Sequence, residues 1–382
     1  MAHRKKGSKN KALTVLVIII IVIAAVFFIR QSLNGSASIV SSTAIAEGDR
    51  AAFSFEPGKL GVAYIDVGQG DSILIQSPAG RTMLIDSGES YALPAVKDAL
   101  DRNGIKKIDI VVGTHPHSDH IGCMADIINS YDIGAVYLPK VSNNTSTYEN
   151  LLKSIQKKGL KINTAKAGVA LDLGADISAV MLAPLSSEYD DTNNYSAVIQ
   201  LTYGGTSFLF TGDASTPSEK EMLKHYGAEL KSDVLKVGHH GSRTATSKKF
   251  LDAVDPGYAV ISYGKDNDYG HPTAEVMERL RKRCIPIYQT EPLGTILATS
   301  DGKTILFNKQ ADTRIEVAEG SDEAGTAPAA AEPETDSAAV YITASGKAYH
   351  KEGCSSLKEN FSPTTVKDAE EAGYVPCKKC FS

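Results

Sequence analysis

Cysteine is scarce. There are five in 382 residues, an odd number, so no complete disulfide framework closes within one chain. Cys354, Cys377 and Cys380 crowd into the last thirty residues while Cys123 and Cys284 stand alone, which fits a metal site better than a set of staples. An excess of positive charge is also missing. The formal net charge of -5 argues against coating nucleic acid by bulk electrostatics and leaves room only for a local basic strip. Long apolar runs are limited to one, so a polytopic channel is not expected. What is present, 42% hydrophobic and 22% charged residues, is ordinary globular composition. The length accommodates one domain of about 250 residues plus smaller pieces.

The single apolar run, Ala12 to Ile29, is broken only by Thr14 and follows Arg4, Lys5, Lys6, Lys9 and Lys11. As a helix it is about 27 Å long, close to the ~30 Å hydrocarbon core of a bilayer. The charge asymmetry predicts a cytoplasmic tail over 1–11, a single-pass anchor over 12–30 and everything downstream outside the cell. A secreted form cut near Ser36-Ala37-Ser38 or Ala44-Ile45-Ala46 is the alternative, but signal cores usually run ~7–15 residues. Residues 31–58 read as a stalk.

From Lys59 the pattern changes to short β runs, Gly61–Asp66, Asp71–Gln76 and Thr82–Ile85, separated by Gly, Pro and Asp turns. Helical stretches are expected near 91–103, 121–130, 147–158, 216–227, 246–253 and 273–283. Between and after them fall apolar strands at Ile108–Val112 and Ala135–Leu138, then near 177–183, 196–203, 206–211, 233–237, 258–262 and 295–306. Interleaved strands and helices predict a layered α/β domain over 59–308. Residues 309–338 collapse to Ala, Glu, Thr, Asp, Gly and Pro, an acidic linker. The remaining 339–382 is too short to hold a core readily without a staple or a metal.

The densest chemistry lies in Thr114-His115-Pro116-His117-Ser118-Asp119-His120, directly after the strand Ile108–Val112. Three imidazoles and a carboxylate within six residues repel and desolvate one another badly without a cation, and they suit Zn²⁺, Mn²⁺ or Fe. This His-x-His-x-Asp-His run resembles the signature of the metallo-β-lactamase superfamily. Leu84-Ile85-Asp86-Ser87-Gly88, Phe210-Thr211-Gly212-Asp213 and Val237-Gly238-His239-His240-Gly241-Ser242 resemble its other motifs in the same order. Ile65-Asp66-Val67-Gly68-Gln69-Gly70-Asp71-Ser72, the paired His239-His240 and Tyr269-Gly270-His271-Pro272 are similar, more narrowly, to the hydrolase domain of ComEC-type DNA-uptake proteins.

The resemblance implies a four-layer αββα sandwich holding two divalent cations, Zn or Mn, that activate water. It implies His115, His117 and Asp213 for the first cation, and Asp119, His120, Asp213 and His239 for the second, with Asp119 also counted among the catalytic residues. Asp86 supports the ligands from behind, and His240 and His271 meet the scissile phosphate or the leaving group. Ser242 and Arg243 beside them are candidates for phosphate binding. Two departures stand out. Cys123 replaces a glycine after the cluster and reads as a small packing residue. Between His120 and His239 the only histidine is His225, on an expected helix, so the superfamily's middle imidazole is missing. The polar run Asp191-Thr192-Asn193-Asn194-Tyr195-Ser196 occupies the corresponding region, and an oxygen-richer site tilts toward Mn²⁺.

In the tail, His350-x₃-Cys354 and Cys377-x₂-Cys380 have the ligand spacing of a structural Cys₃His zinc site, and the segment is similar to Ada-like zinc modules. One disulfide with a leftover thiol is the alternative. The expected function is a membrane-anchored, extracytoplasmic phosphodiesterase or DNase, its partners DNA or another phosphodiester and, through the N-terminal helix, the membrane. Its rivals are hydrolysis of another ester, amide or wall phosphoester, and non-catalytic binding of DNA or wall material.

Overall fold

The computed structural model describes residues 53–313 and, in the tail, 339–343, 348–350, 361–365 and 374–377. The expected cytoplasmic tail, anchor and most of the stalk lie outside these residues, as do Cys354, Cys380 and nearly all of the expected linker. Among the described residues no helix is long and apolar enough to cross a membrane.

One sheet of the main unit contains β1 (Leu60–Tyr64), β2 (Ile73–Gln76), β3 (Thr82–Ile85), β4 (Lys107–Val112), β5 (Asp132–Pro139) and β6 (Ile162–Ala165). The other contains β7 (Ile177–Ala183), β8 (Val198–Tyr203), β9 (Thr206–Phe210), β10 (Val234–Lys236), β11 (Tyr258–Ile261) and β12 (Ile287–Gln289). The chain then returns to the first sheet with β13 (Ile296–Ser300) and β14 (Ile305–Phe307). The strand orders are β14-β13-β1-β2-β3-β4-β5-β6 and β12-β11-β10-β9-β8-β7. The strands expected near 295–306 are these two, turning at Asp301–Lys303. The short strands β6 and β12 had no legible pattern.

Strand periodicity of two sorts the side chains into layers. Leu60, Val62 and Tyr64 face inward with Ile73, Ile75 and Val112, and meet Met181, Ile199, Phe208 and Phe210 of the other sheet. Ala63, Leu74, Leu84 and Val111 face outward against Val96 and Leu100 of α1 (Leu93–Arg102), Ile127 of α3 (Met124–Ser130) and Leu151 of α4 (Ser146–Lys157). Leu209, Leu235 and Ala259 do the same on the second sheet, against Met222 of α5 (Thr216–Tyr226), Phe250 of α6 (Lys248–Val254) and Leu280 of α7 (Ala274–Arg281). The layers run helix, sheet, sheet, helix. Each buried large side chain contributes about 1.5–3 kcal/mol of transfer free energy, so the three cores rather than any metal hold the layers together.

Local signals set the helix starts. The Thr145 hydroxyl accepts from Tyr148 N at the head of α4, and Ser247 caps α6 through Phe250 N. The stretch expected as one helix over 121–130 is instead α2 (Ser118–Ile121) and α3, joined by Gly122 and Cys123. A Cβ at Gly122 would lie 2.5 Å from Ser118 O and from Ser90 N. Ordering also extends past 308, because Asp312 and Ile287 exchange backbone hydrogen bonds at 2.7 and 3.0 Å.

Contacts divide the chain into two units at Val317–Ala318. In the second unit Ala339–Thr343 pairs antiparallel with Phe361–Thr365, and Ala348–Tyr349 pairs parallel with Val375–Pro376. That register sets His350 and Cys377 immediately after the ends of neighbouring strands, both buried.

Candidate metal centre

Chain direction gathers the site. β3 and β4 are parallel, as are β9, β10 and β11, so the segments leaving their carboxyl ends meet on one side of the sandwich. Asp86 follows β3, the Thr114–His117 loop follows β4, Asp213 follows β9 and His239-His240 follows β10.

Asp86 is fully buried, with φ of 58°, in the left-handed region that a carboxylate stabilised by local hydrogen bonds tolerates. Its Oδ1 accepts from Thr114 N at 2.7 Å, while Oδ2 accepts from Thr114 Oγ1 at 2.7 Å and faces His120 Nδ1 at 2.8 Å. With Nδ1 so engaged, His120 turns Nε2 into the site. Cys123 is buried and its thiol donates to Ser87 O at 2.9 Å, a packing role in the neighbouring strand end.

Asp213 stands at the centre. Its Oδ1 lies 3.3 Å from His120 Nε2 and 3.4 Å from His240 Nε2. Asp119 Oδ2 lies 3.3 Å from the same His240 Nε2 and 3.8 Å from His120 Nε2. Asp119, His120, Asp213 and His240 each offer a ligand atom within 4.8 Å of the others. The opposite oxygen, Asp213 Oδ2, lies 3.8 Å from His115 Nε2 and 3.5 Å from His239 Nε2. His117 joins this side, its Nδ1 2.9 Å from His115 Nε2. The two carboxylate oxygens therefore face two different groups of imidazoles.

The histidine pair is split by backbone geometry. His239 and His240 both have positive φ, 48° and 53°, and this tight turn sends consecutive rings to opposite oxygens of Asp213. His240 Nδ1 donates to Ser262 O at 3.0 Å, which leaves Nε2 as the inward atom. His239 N donates to Gly212 O at 3.0 Å, tying the turn to the Asp213 segment. The expectation that His239 stands with Asp119 and His120 is corrected here. His240 holds that place, and His239 faces the His115 side.

Among the described residues, His120 Nε2, Asp213 Oδ1 and His240 Nε2 are buried with no hydrogen-bond partner. Orphaned polar atoms of this kind are rare, and three converging on one point fit a cation. The charges point the same way. Burial disfavours a charged His120, but Asp213, Asp119 and Asp86 outweigh it and raise its pKa well above the usual value. Burial likewise opposes ionisation of Asp213, yet His120 and His240 hold it well below the carboxylate range. The carboxylates thus concentrate negative charge that favours a positive charge among the imidazoles.

His271 lies at the wall of the same cavity, its ring centre 5.4 Å from that of His239. Burial, with His239 and His240 nearby, lowers its pKa to about 4, so the ring is neutral at physiological pH. The cavity, about 1020 Å³, is lined by Ser242, Arg243, Asp191 and Asn193 as well as by the histidines. The polar run after Asp191 supplies no ligand imidazole. Ser196 Oγ instead accepts from Asp213 N at 3.0 Å and lies 3.4 Å from His115 Nδ1, steadying both. His225 sits on α5 against Tyr226, outside the cluster.

Sequence reasoning gave no role to Lys236 or Asp71. Both side chains are buried beneath His240, with Lys236 Nζ 2.9 Å from Asp71 Oδ1. The available signal was a lysine within the otherwise apolar run Val234–Val237.

The metallo-beta-lactamase superfamily model matches residues 65–265. ComE operon protein 3 of Bacillus subtilis (strain 168) is 32% identical over 252 residues, covering 62% of this chain and 32% of that protein. Competence protein ComA of Neisseria gonorrhoeae is 32% identical over 236 residues, covering 62% and 31%. The chain thus matches about a third of the length of these relatives. Among solved structures, the metallo-beta-lactamase fold protein YhfI from Bacillus subtilis aligns with a TM-score of 0.44 at 12% identity, over 63% of this chain and 100% of that one.

Proposed function

The chain belongs to the metallo-beta-lactamase superfamily of metal-dependent hydrolases, and from that premise we propose that it is a phosphodiesterase acting on DNA outside the cell membrane. The observation that carries the reading is the division of ligands about Asp213. His115, His117 and His239 face one carboxylate oxygen, and Asp119, His120 and His240 face the other. Such a carboxylate suits a bridge between two cations. His239 then stands in for the middle imidazole that the sequence lacks. Each half-site has three protein groups beside the bridge, and oxygen and nitrogen donors of this kind suit Zn or Mn.

Two cations held there would supply an activated water and clamp the oxygens of a phosphodiester in line. The chain's own residues do the rest. Asp86 and the Ser262 carbonyl fix which nitrogen His120 and His240 turn inward. Arg243 in the cavity wall meets a non-reacting phosphate oxygen. His271, a neutral ring beside His239, hydrogen-bonds the departing oxygen. DNA as substrate is supported by the resemblance of the motifs to those of ComEC-type DNA-uptake proteins and by the similarity to ComE operon protein 3 and competence protein ComA.

The N-terminal apolar run anchors the protein with the catalytic unit outside, and His350, Cys354, Cys377 and Cys380 hold one structural zinc in the tail. Support for the first is the charge pattern of residues 4–30, and for the second the ligand spacing together with the adjacency of His350 and Cys377. The deciding experiment incubates the purified full-length chain with single- and double-stranded DNA, with Mn²⁺, with Zn²⁺ and with chelator. Metal-dependent cleavage supports the reading. Turnover confined to a carboxylic ester, an amide or a wall phosphoester would replace it.

A further inference from the structure

We infer that Tyr269, stacked on His271 at the mouth of the catalytic cavity, is a nucleobase platform that makes single-stranded DNA the substrate. This rests on the phosphodiesterase reading and adds to it the form of DNA recognised and the residue that recognises it.

Tyr269 is 68% exposed, the highest value among the exposed large apolar side chains of the described residues. It is nonetheless placed. Its ring lies 5.7 Å from the His271 ring at 22°, a stacked pair, and it lines the cavity that contains Asp119, Asp213 and the histidine turn. An aromatic left in water at a catalytic rim forfeits the burial that ordinarily decides where a tyrosine sits.

The loop carrying Tyr269 is fixed rather than loose. Asn267 Nδ2 donates to Gly264 O at 2.9 Å and to His271 O at 2.6 Å, and Asn267 Oδ1 accepts from His271 N at 3.0 Å. Gly264 N donates to Gln69 Oε1 at 3.2 Å on one side of the loop. On the other, Thr273 N and Oγ1 donate to Gly241 O at 3.0 and 2.9 Å, next to His240. The platform is therefore held in register with the cluster, so a stacked base sets where the adjoining phosphate falls.

Beyond the metal cluster itself, side-chain charge adds little to that positioning. The cavity wall includes Asp119, Asp191 and Asp213 but only one Arg or Lys, Arg243. With a net charge of -5 the chain has little general attraction for a polyanion. Stacking is independent of both charge and sequence, because every base has a π face, and it requires the base to be unstacked from its neighbours. Single strands offer such a base freely, whereas a duplex must first be opened. A cavity of about 1020 Å³ also has the size of a drug-like ligand site, room for a few nucleotides rather than a duplex.

The test compares binding of two labelled ten-residue oligomers to the purified full-length chain by fluorescence anisotropy. One is oligothymidylate and the other carries tetrahydrofuran abasic sites throughout, so backbone and charge match and only bases differ. Wild type is expected to bind the thymidylate about 5- to 160-fold tighter, the range of one stacked base. In Tyr269→Ala that contrast collapses to about one, and in Tyr269→Phe, which keeps the ring face, it persists. Equal binding of the two oligomers by wild type, or a contrast that survives in Tyr269→Ala, overturns the platform. Turnover of the thymidylate with Mn²⁺ or Zn²⁺ is read in parallel. If the binding contrast holds and neither metal supports cleavage, the phosphodiesterase reading fails while the platform stands.

Discussion

Lys236 and Asp71 form an ion pair of 2.9 Å in which neither side chain reaches solvent. The lysine's hydrogen bond goes to Val237 O at 3.0 Å, so its contact with Asp71 is electrostatic rather than a directed hydrogen bond. Asp71 Oδ1 is also 3.6 Å from His240 Nδ1, and Asp71 shares a ligand-sized cluster with Asp86 and His120. Lys236 is thus a fixed positive charge under a crowd of carboxylates.

Lys236→Met is expected to destabilise the main unit by about 3–5 kcal/mol, because it leaves Asp71 buried without its counter-charge. Urea unfolding of the full-length chain measures the loss. Adding Asp71→Leu should recover most of it, since a well-packed apolar pair replaces a buried ion pair at little cost. A single variant as stable as wild type would show that Asp71 is neutralised by some other group.

Asp213→Ala is expected to abolish hydrolysis and leave less than one equivalent of metal in the catalytic unit, with the thermal midpoint little changed. Both half-sites lose their shared oxygen donor, while the three apolar cores lie elsewhere. Elemental analysis beside turnover decides it. Retention of more than about a tenth of wild-type turnover would mean that another residue bridges.

His239→Ala and His240→Ala are expected to lose different cations. Each should keep about one of the two equivalents, and substitution with Co²⁺ should give different absorption spectra, because the rings face opposite oxygens of Asp213. Identical stoichiometry and spectra from the two variants would place both histidines at one cation.

Cys123 is expected to resist alkylation in the native protein at pH 8 while Cys284 reacts. Burial raises the Cys123 pKa to about 11, and at pH 8 only the small thiolate fraction is nucleophilic, inside a core that iodoacetamide does not enter. Cys284 is exposed. Peptide mapping after labelling reads both sites, and equal modification of Cys123 would show that the α2–α3 junction opens.

Protease added to wall-stripped cells is expected to remove the catalytic unit without lysis. On the proposed topology, the five cations ahead of the apolar run would set this orientation at insertion. Protection until the membrane is broken would invert the topology and remove environmental DNA as a substrate.

Much of the architecture is written locally. The alternation of Leu60, Val62 and Tyr64 against Ala63 and Ile65 declares a strand with two covered faces. The His115–His120 run declares a metal site in six consecutive residues. These signals depend on neighbours within a few positions, so the sequence alone determined a layered α/β hydrolase with a metal cluster after its fourth strand. It did not determine which histidine serves which cation. His239 and His240 are adjacent and chemically identical, and only the left-handed turn between Gly212 O and Ser262 O sends them to opposite sides of Asp213. The Lys236–Asp71 pair escaped for a related reason. Its partners lie 165 positions apart, and a charge inside an apolar strand becomes explicable only when the fold supplies the opposite charge beside it. Ligand partition and buried charge balance are properties of distances across the sandwich, and those distances exist only once the two sheets have packed.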